Sequence, residues 1–185
     1  MTTSATKLTP EVKAVIGKTS EFAEAGWNIV NKESLRRFTQ AIMDPDPRYW
    51  DADFAKTTRY GEVIAPHLFG GGGGRAPWQD VDPVSYTFRE NPIADAVREN
   101  PEGRRRGALP RVPTDLVRNL NAGNEIEMYK HPVIGDRVYA QSRYADIKER
   151  VGRDGSHMLI ITTETWHWNQ RGELLYINRG SSFQR

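Results

Sequence analysis

The sequence predicts an α+β fold, with helices first and an antiparallel sheet last. Three observations carry that expectation. Residues 31–42 place apolar side chains at helical spacing behind a capping asparagine. Residues 75–113 are polar and irregular, with prolines at 77, 83, 92, 101, 110 and 113. After residue 124, tracts rich in Ile, Val, Tyr, Thr and Trp alternate with glycine-containing turns.

Thr9-Pro10-Glu11 reads as an N-cap, a first-turn proline and a favourable first-turn acid, with Gly17 placed to stop a short helix. Residues 19–30 suit an extended segment. Asn31 then caps a second helix, in which Leu35, Phe38 and Ile42 form the apolar stripe and Lys32, Arg36 and Arg37 take the other face. Pro45 and Pro47 end it, because each disfavours a helical residue before it and lacks an N–H. Residues 51–59 suit another short helix with Ala52, Phe54 and Ala55 on its apolar side. Ile64 to Phe69 is an apolar step that would open a longer helix. The glycines from Gly70 to Gly74 weaken that helix by about 1 kcal/mol each relative to alanine. Either it is short, or the run packs closely against another backbone. The tracts 124–130, 137–148, 157–170 and 174–183 are the expected strands, read as an antiparallel meander broken at Gly135-Asp136, Asp154-Gly155 and Arg171-Gly172.

The length of 185 residues suits a single domain over 1–185, with about 75–113 as a covering insertion. A formal charge of +2 makes no case for a dedicated nucleic-acid or membrane-surface protein. The absence of cysteine excludes disulfides, thiolate nucleophiles and zinc–thiolate sites. The four histidines lack metal-ligand spacing, so no metal is expected. Residues 1–7 lack the apolar core of a signal peptide. No apolar run approaches the roughly 20 residues of a membrane helix, and the expectation is a cytoplasmic protein.

Asp44-Pro45-Asp46-Pro47 is similar to the Gly-Asp-x-Asn-Pro step of MaoC-like enoyl-CoA hydratases and dehydratases, and Ile64-Ala65-Pro66 resembles their Ile-Ala-His or Ile-Ala-Pro step. The tract 121–129, the turn His131-Pro132-Val133-Ile134-Gly135-Asp136, and the segments 150–155 and 169–174 resemble the strand, turn and hairpins that follow. The resemblance spans roughly residues 16–184 and is closest to the N-terminal dehydratase-like branch of that superfamily. It implies a hot-dog domain, an antiparallel sheet wrapped around a central helix, pairing edge to edge into a double hot-dog. It also implies an acyl-CoA thioester as substrate, coenzyme A entering only as part of that substrate, and no separate cofactor.

In catalytic members the resemblance implies an Asp and a His five residues apart that activate water, and a backbone N–H at a helix start that receives the thioester oxyanion. On this chain the aspartate falls on Asp44 and the histidine on Tyr49. A phenol with an ordinary pKa near 10 is a poor base at neutral pH, although it can donate a hydrogen bond. Pro66 has no N–H, so His67 would supply the oxyanion donor.

Each candidate has an ordinary structural counterpart. Asp44 is read as a catalytic acid or as a turn residue before proline, Tyr49 as a proton donor or as packing. His67 is read as cleft machinery or as a structural histidine. Ile64, Ala65, Pro66, Gly70 and Gly71 are read as substrate-binding, the glycines beside a pantetheine arm or under a partner helix, or else as a plain linker. Arg104, Arg105 and Arg106 would meet the phosphates of coenzyme A or form a solvated loop. The expected role is a hydratase/dehydratase component that binds substrate beside a catalytic hot-dog homologue. The alternatives are a self-sufficient homodimer using Asp44 with Tyr49 or His67, and a non-catalytic acyl-CoA sensor.

Overall fold

The computed structural model describes residues 6–25, 29–67, 69, 83–93 and 108–185. Helices α1 (Pro10–Lys13), α2 (Lys32–Ala41) and α3 (Ala52–Thr57) come first, followed by α4 (Pro83–Glu90). The strands are β1 (Ala23–Glu24), β2 (Asn119–Met128), β3 (Val138–Val151), β4 (His157–Asn169) and β5 (Leu174–Gln184). They form one antiparallel sheet in the order β1-β3-β4-β5-β2. Strands β3, β4 and β5 are the expected meander, but β2 crosses over to pair with β5 at the far edge. Strand β1 closes the other edge against β3. Helix α4 corrects the reading of 75–113 as wholly irregular. Its proline at the first position costs nothing, because that N–H would have no partner inside the helix.

The local signals act as their chemistry requires. Thr9 accepts from the Val12 N–H at the start of α1. At α2 a reciprocal capping box links Asn31 and Ser34: Asn31 Oδ1 accepts from the Ser34 N–H at 2.9 Å, and Ser34 Oγ accepts from the Asn31 N–H at 3.3 Å. Gly155 and Gly172, at φ +80° and +76°, sit left-handed in the two hairpin turns, where a side chain would be strained.

The inner face of the sheet carries two apolar clusters, one at each end. The first joins Leu35, Val30, Ala55, Val63 and Ala65 to Val138, Leu175 and Tyr176. The second joins Val12 and Val112 to Tyr144, Ile147, Leu159 and Ile161. A bulge at Tyr144–Asp146 shifts the phase of β3, so that Tyr144 and Ile147 face the same side although three residues apart. Tyr144 donates to the Pro110 carbonyl at 2.8 Å, tying the end of the 75–113 stretch to this cluster. Between the clusters the face turns small and polar, with Ser142 and Thr165 hydrogen-bonded at 2.8 Å. The outer face is crossed by a charge ladder. Glu164, 7% exposed, receives Arg143 at 2.7 Å and Arg179 at 3.0 Å, and Arg179 continues to Glu127 at 3.1 Å.

His167 and Tyr176 are register partners on β4 and β5, with rings stacked 4.1 Å apart in the first cluster. Burial pushes the His167 imidazole down to about 4, because the charged form would be desolvated. An unfolded histidine titrates near 6.5. The unfolded chain therefore binds more protons between those values, and stability is expected to fall as pH drops from about 6.5 to 4. Urea unfolding at pH 7 and pH 5 checks this. The wild-type chain should lose on the order of 1–3 kcal/mol more than a His167→Phe variant over that interval.

Candidate functional site

Helix α2 ends in a Schellman motif: the Met43 N–H donates to the Gln40 carbonyl at 3.2 Å and the Asp44 N–H to the Thr39 carbonyl at 3.0 Å. Met43 occupies the left-handed position at φ +55°, where glycine is usual. This reversal delivers Asp44 to the mouth of the next turn. Asp44 Oδ1 accepts from the Asp46 N–H at 3.1 Å. Asp46 in turn caps a 3-10 turn over Pro47–Tyr49, accepting from the Arg48 N–H at 2.9 Å and pairing with the Arg48 guanidinium. The Trp50 indole reaches back to the Pro45 carbonyl at 3.4 Å. The turn is further held by the Ile64 N–H, which donates to the Arg48 carbonyl at 3.2 Å.

These elements enclose a cavity of about 660 Å³. Its walls come from Leu35 and Thr39 on α2, from Met43 just past the helix end, from Pro45 and Trp50, and from Val63 and Ile134. Lys32, Arg36 and Gln40 stand on the same side of α2. Arg36 is engaged by Glu33 at 2.7 Å and by Gln40 at 2.7 Å. Thr39 spends its hydroxyl on the Leu35 and Arg36 carbonyls, both at 3.0 Å. Asp44 and Tyr49 are therefore the polar pair facing this cavity from the turn. Tyr49 is only 5% exposed. Its phenol is pushed above the ordinary tyrosine value, first by burial and then by the Asp44 carboxylate. It remains protonated at neutral pH and can donate.

None of the four histidines lines this cavity. His67 is exposed and sits edge-to-face with His131, ring centroids 5.2 Å apart. His131 holds Nδ1 at 2.9 Å from the Ala65 carbonyl, which makes that nitrogen the protonated one. Burial lowers the His131 pKa. Tyr60 packs on its other side at 5.3 Å, and a smaller hollow of about 240 Å³ runs along Tyr60, His131 and Lys130. His157 pairs with Glu149 at 2.7 Å at the opposite end of the sheet. Among the described residues no group of three His, Cys, Asp or Glu side chains could hold a metal ion, and no helix is long and apolar enough to cross a membrane.

Of the residues singled out from sequence, Asp44 and Tyr49 come together in one cavity, while His67 belongs to the His131–Tyr60 group. Ile64, Ala65 and Pro66 are buried. Ile64 bridges to Val133, and the Ala65 N–H donates to the Pro132 carbonyl at 2.7 Å. Gly70, Gly71, the rest of the glycine run, the central helix expected there, and Arg104, Arg105 and Arg106 lie outside the described residues. The sequence reading missed Lys32, Arg36, Thr39 and Met43 as cavity residues. Their spacing of three and four marks a second helical stripe beside the apolar one, which was the available signal.

The antiparallel sheet with its helical N-terminal part is a hot-dog fold, the fold also of MaoC-like dehydratases and (R)-hydratases of known structure. It is similar to the MaoC-like dehydratase from Rhodospirillum rubrum, at 16% identity and TM-score 0.54, covering 91% of each chain. It is also similar to the HadBC (3R-hydroxyacyl-ACP dehydratase) complex from Mycobacterium tuberculosis, at 17% identity and TM-score 0.56, over 91% of this chain and 96% of that one. A UPF0336 protein of Streptomyces coelicolor is 30% identical over 126 residues, 68% of this chain and 67% of that protein. Residues 14–177 match the FAS1-like, dehydratase domain region family, and the chain belongs to that family.

The strain at Met43 has a direct readout. Met43→Gly removes the left-handed penalty and keeps both Schellman hydrogen bonds. Net of glycine's extra unfolded-state entropy, it should stabilise the fold by about 0.5–1 kcal/mol, read as a higher urea midpoint at unchanged slope.

Proposed function

We propose that this chain is the substrate-binding component of a MaoC-like hydratase/dehydratase, holding an acyl thioester beside a catalytic hot-dog homologue. The observation that carries the reading is the Asp44–Tyr49 cavity with no histidine in its wall. Water addition across a conjugated double bond needs a base for the water and a donor for the α-carbon. Asp44 supplies a carboxylate, but the phenol five residues on is held protonated and cannot complete the dyad. His67 does not line the cavity, which disfavours the self-sufficient alternative that enlists it.

The remaining features support binding. The walls around Leu35, Val63 and Trp50 are apolar and suit an acyl or pantetheine chain. Lys32 stands exposed at the rim, a point charge suited to a phosphate. The sheet ends in β2, whose ten residues, Asn119–Met128, are mostly exposed. An edge of that length is a natural seam for a second hot-dog sheet, and pairing would remove an aggregation hazard. The HadBC similarity supports a heteromeric partner at that seam.

Hydration of enoyl-CoA thioesters, followed by loss of enoyl absorbance, tests the reading. The purified chain alone should bind acyl-CoA yet show no turnover above the uncatalysed rate. Addition of a hot-dog homologue that carries an intact Asp-and-His dyad should restore turnover. Activity of the isolated chain that disappears in Asp44→Asn would overturn the proposal in favour of independent catalysis.

A further inference from the structure

We propose that His131 is a pH-sensitive clasp on the Ile64–Ala65 crossing, which loosens one wall of the Asp44–Tyr49 cavity when the imidazole takes up a proton. The inference is independent of what the cavity binds.

The crossing is a partition between two pockets. Val63 and Ile134 line the Asp44–Tyr49 cavity, whereas Ile64 and Val133 line the hollow that holds His131. Ile64 and Val133 are bridge partners, which joins the two segments as a short ribbon. The ribbon also holds the turn that bears Asp44 and Tyr49, because the Ile64 N–H donates to the Arg48 carbonyl at 3.2 Å. The His131 ring is tied to it by the bond from Nδ1 to the Ala65 carbonyl at 2.9 Å. A change at His131 on one side of the partition therefore reaches the other side through backbone hydrogen bonds.

Positive groups surround that imidazole. His67 stands edge-to-face with it, ring centroids 5.2 Å apart, and the Arg48 and Arg59 charges also act on it. Arg48 is paired with Asp46. Arg59 donates to the Tyr60 hydroxyl at 2.7 Å and lies over the Tyr60 ring, with no carboxylate partner among the described residues. Next in the chain, Lys130 is engaged by Glu173 at 2.7 Å, and Tyr129 donates to Glu127 at 2.6 Å. Glu62 lines the hollow and is exposed. Burial first, and then His67, Arg48 and Arg59, hold the His131 pKa below the ordinary histidine value, although the bond to Ala65 acts the other way.

A neutral ring is stable in this place and a charged one is not. Once charged, the ring is better solvated when turned into the hollow of about 240 Å³, whose wall carries the Glu62 carboxylate. That rotation gives up the Ala65 bond and frees the crossing. The sign follows from linkage: an open form with an ordinary imidazole binds more protons than the closed form, so acid favours opening.

Hydrogen exchange of the nitrogen-15-labelled chain at pH 7.0 and pH 5.5, corrected for the intrinsic pH dependence of exchange, tests this. An open form that titrates near 6.5 gains roughly eightfold in population over that interval. Protection of the Ile64 and Ala65 amides should fall by about that factor. The indole N–H resonance of Trp50, which lines the cavity from the turn, should shift with the same midpoint. In His131→Asn, whose amide can keep the Ala65 bond but cannot titrate, protection of these two amides should be equal at both pH values. The β4 amides of Leu159 and Ile161, which report the whole sheet and His167, should respond to pH as in the wild type. Unchanged protection of Ile64 and Ala65 in the wild-type chain, an equal fall in His131→Asn, or a Trp50 resonance indifferent to pH would overturn the inference. Where the variant does not fold, the wild-type imidazole signal of His131 decides, because its midpoint must coincide with the loss of protection.

Discussion

The geometry of the site depends on one short crossing of the chain. Ile64 and Ala65 run between the Asp44–Trp50 turn and the link from β2 to β3, and their backbones bond to both sides. The Ile64 N–H holds the Arg48 carbonyl, the Ala65 N–H holds the Pro132 carbonyl, and the Ala65 carbonyl receives His131. Both side chains are essentially buried, at 2% and 0% exposure, so these bonds are made away from water and cannot be exchanged for solvent at little cost. Without this tie, the turn that carries Asp44 and Tyr49 would be joined to the sheet only through α2 and side-chain packing.

The same logic extends to the end of α2. Asp136 is fully buried in the turn after Val133, where Oδ2 accepts from the Val133 N–H at 3.1 Å and Arg171 approaches Oδ1 at 2.9 Å. Its backbone carbonyl accepts from Val30 at 2.8 Å, and Val30 precedes the capping box that starts α2. The sheet thereby sets the origin of α2, and the Schellman motif sets its exit. Asp44 emerges at a position determined at both ends of the helix. Strain at Met43 is tolerated because the surrounding hydrogen bonds over-determine that reversal.

On the proposed reading, one substitution changes the site's role without changing its shape. Tyr49 fills its place in the wall and is anchored by burial, yet burial and the Asp44 charge move its pKa away from neutrality rather than toward it. For a histidine in a similar environment, burial would favour the neutral, accepting form and the Asp44 carboxylate would oppose it. The scaffold that supports a base in one sequence therefore supports a donor in another, and the chemistry follows the residue rather than the fold.

Much of the architecture was legible in the sequence because it rests on local physics. The Asn31 cap, the prolines that terminate α2, and the alternation of β4 act within a few residues, and each element forms where its signal lies. Asp44 and Tyr49 were legible as a pair through the family resemblance, which sets the two positions five apart in a proline-stiffened turn. What only the tertiary structure decided is non-local. The crossover of β2 to the edge beside β5, the separation of His67 from the cavity, the burial of Asp136 and the second stripe of α2 depend on which surfaces meet. No property of a residue or its near neighbours encodes such a meeting, because packing and desolvation are set by contacts between segments that are distant in the chain.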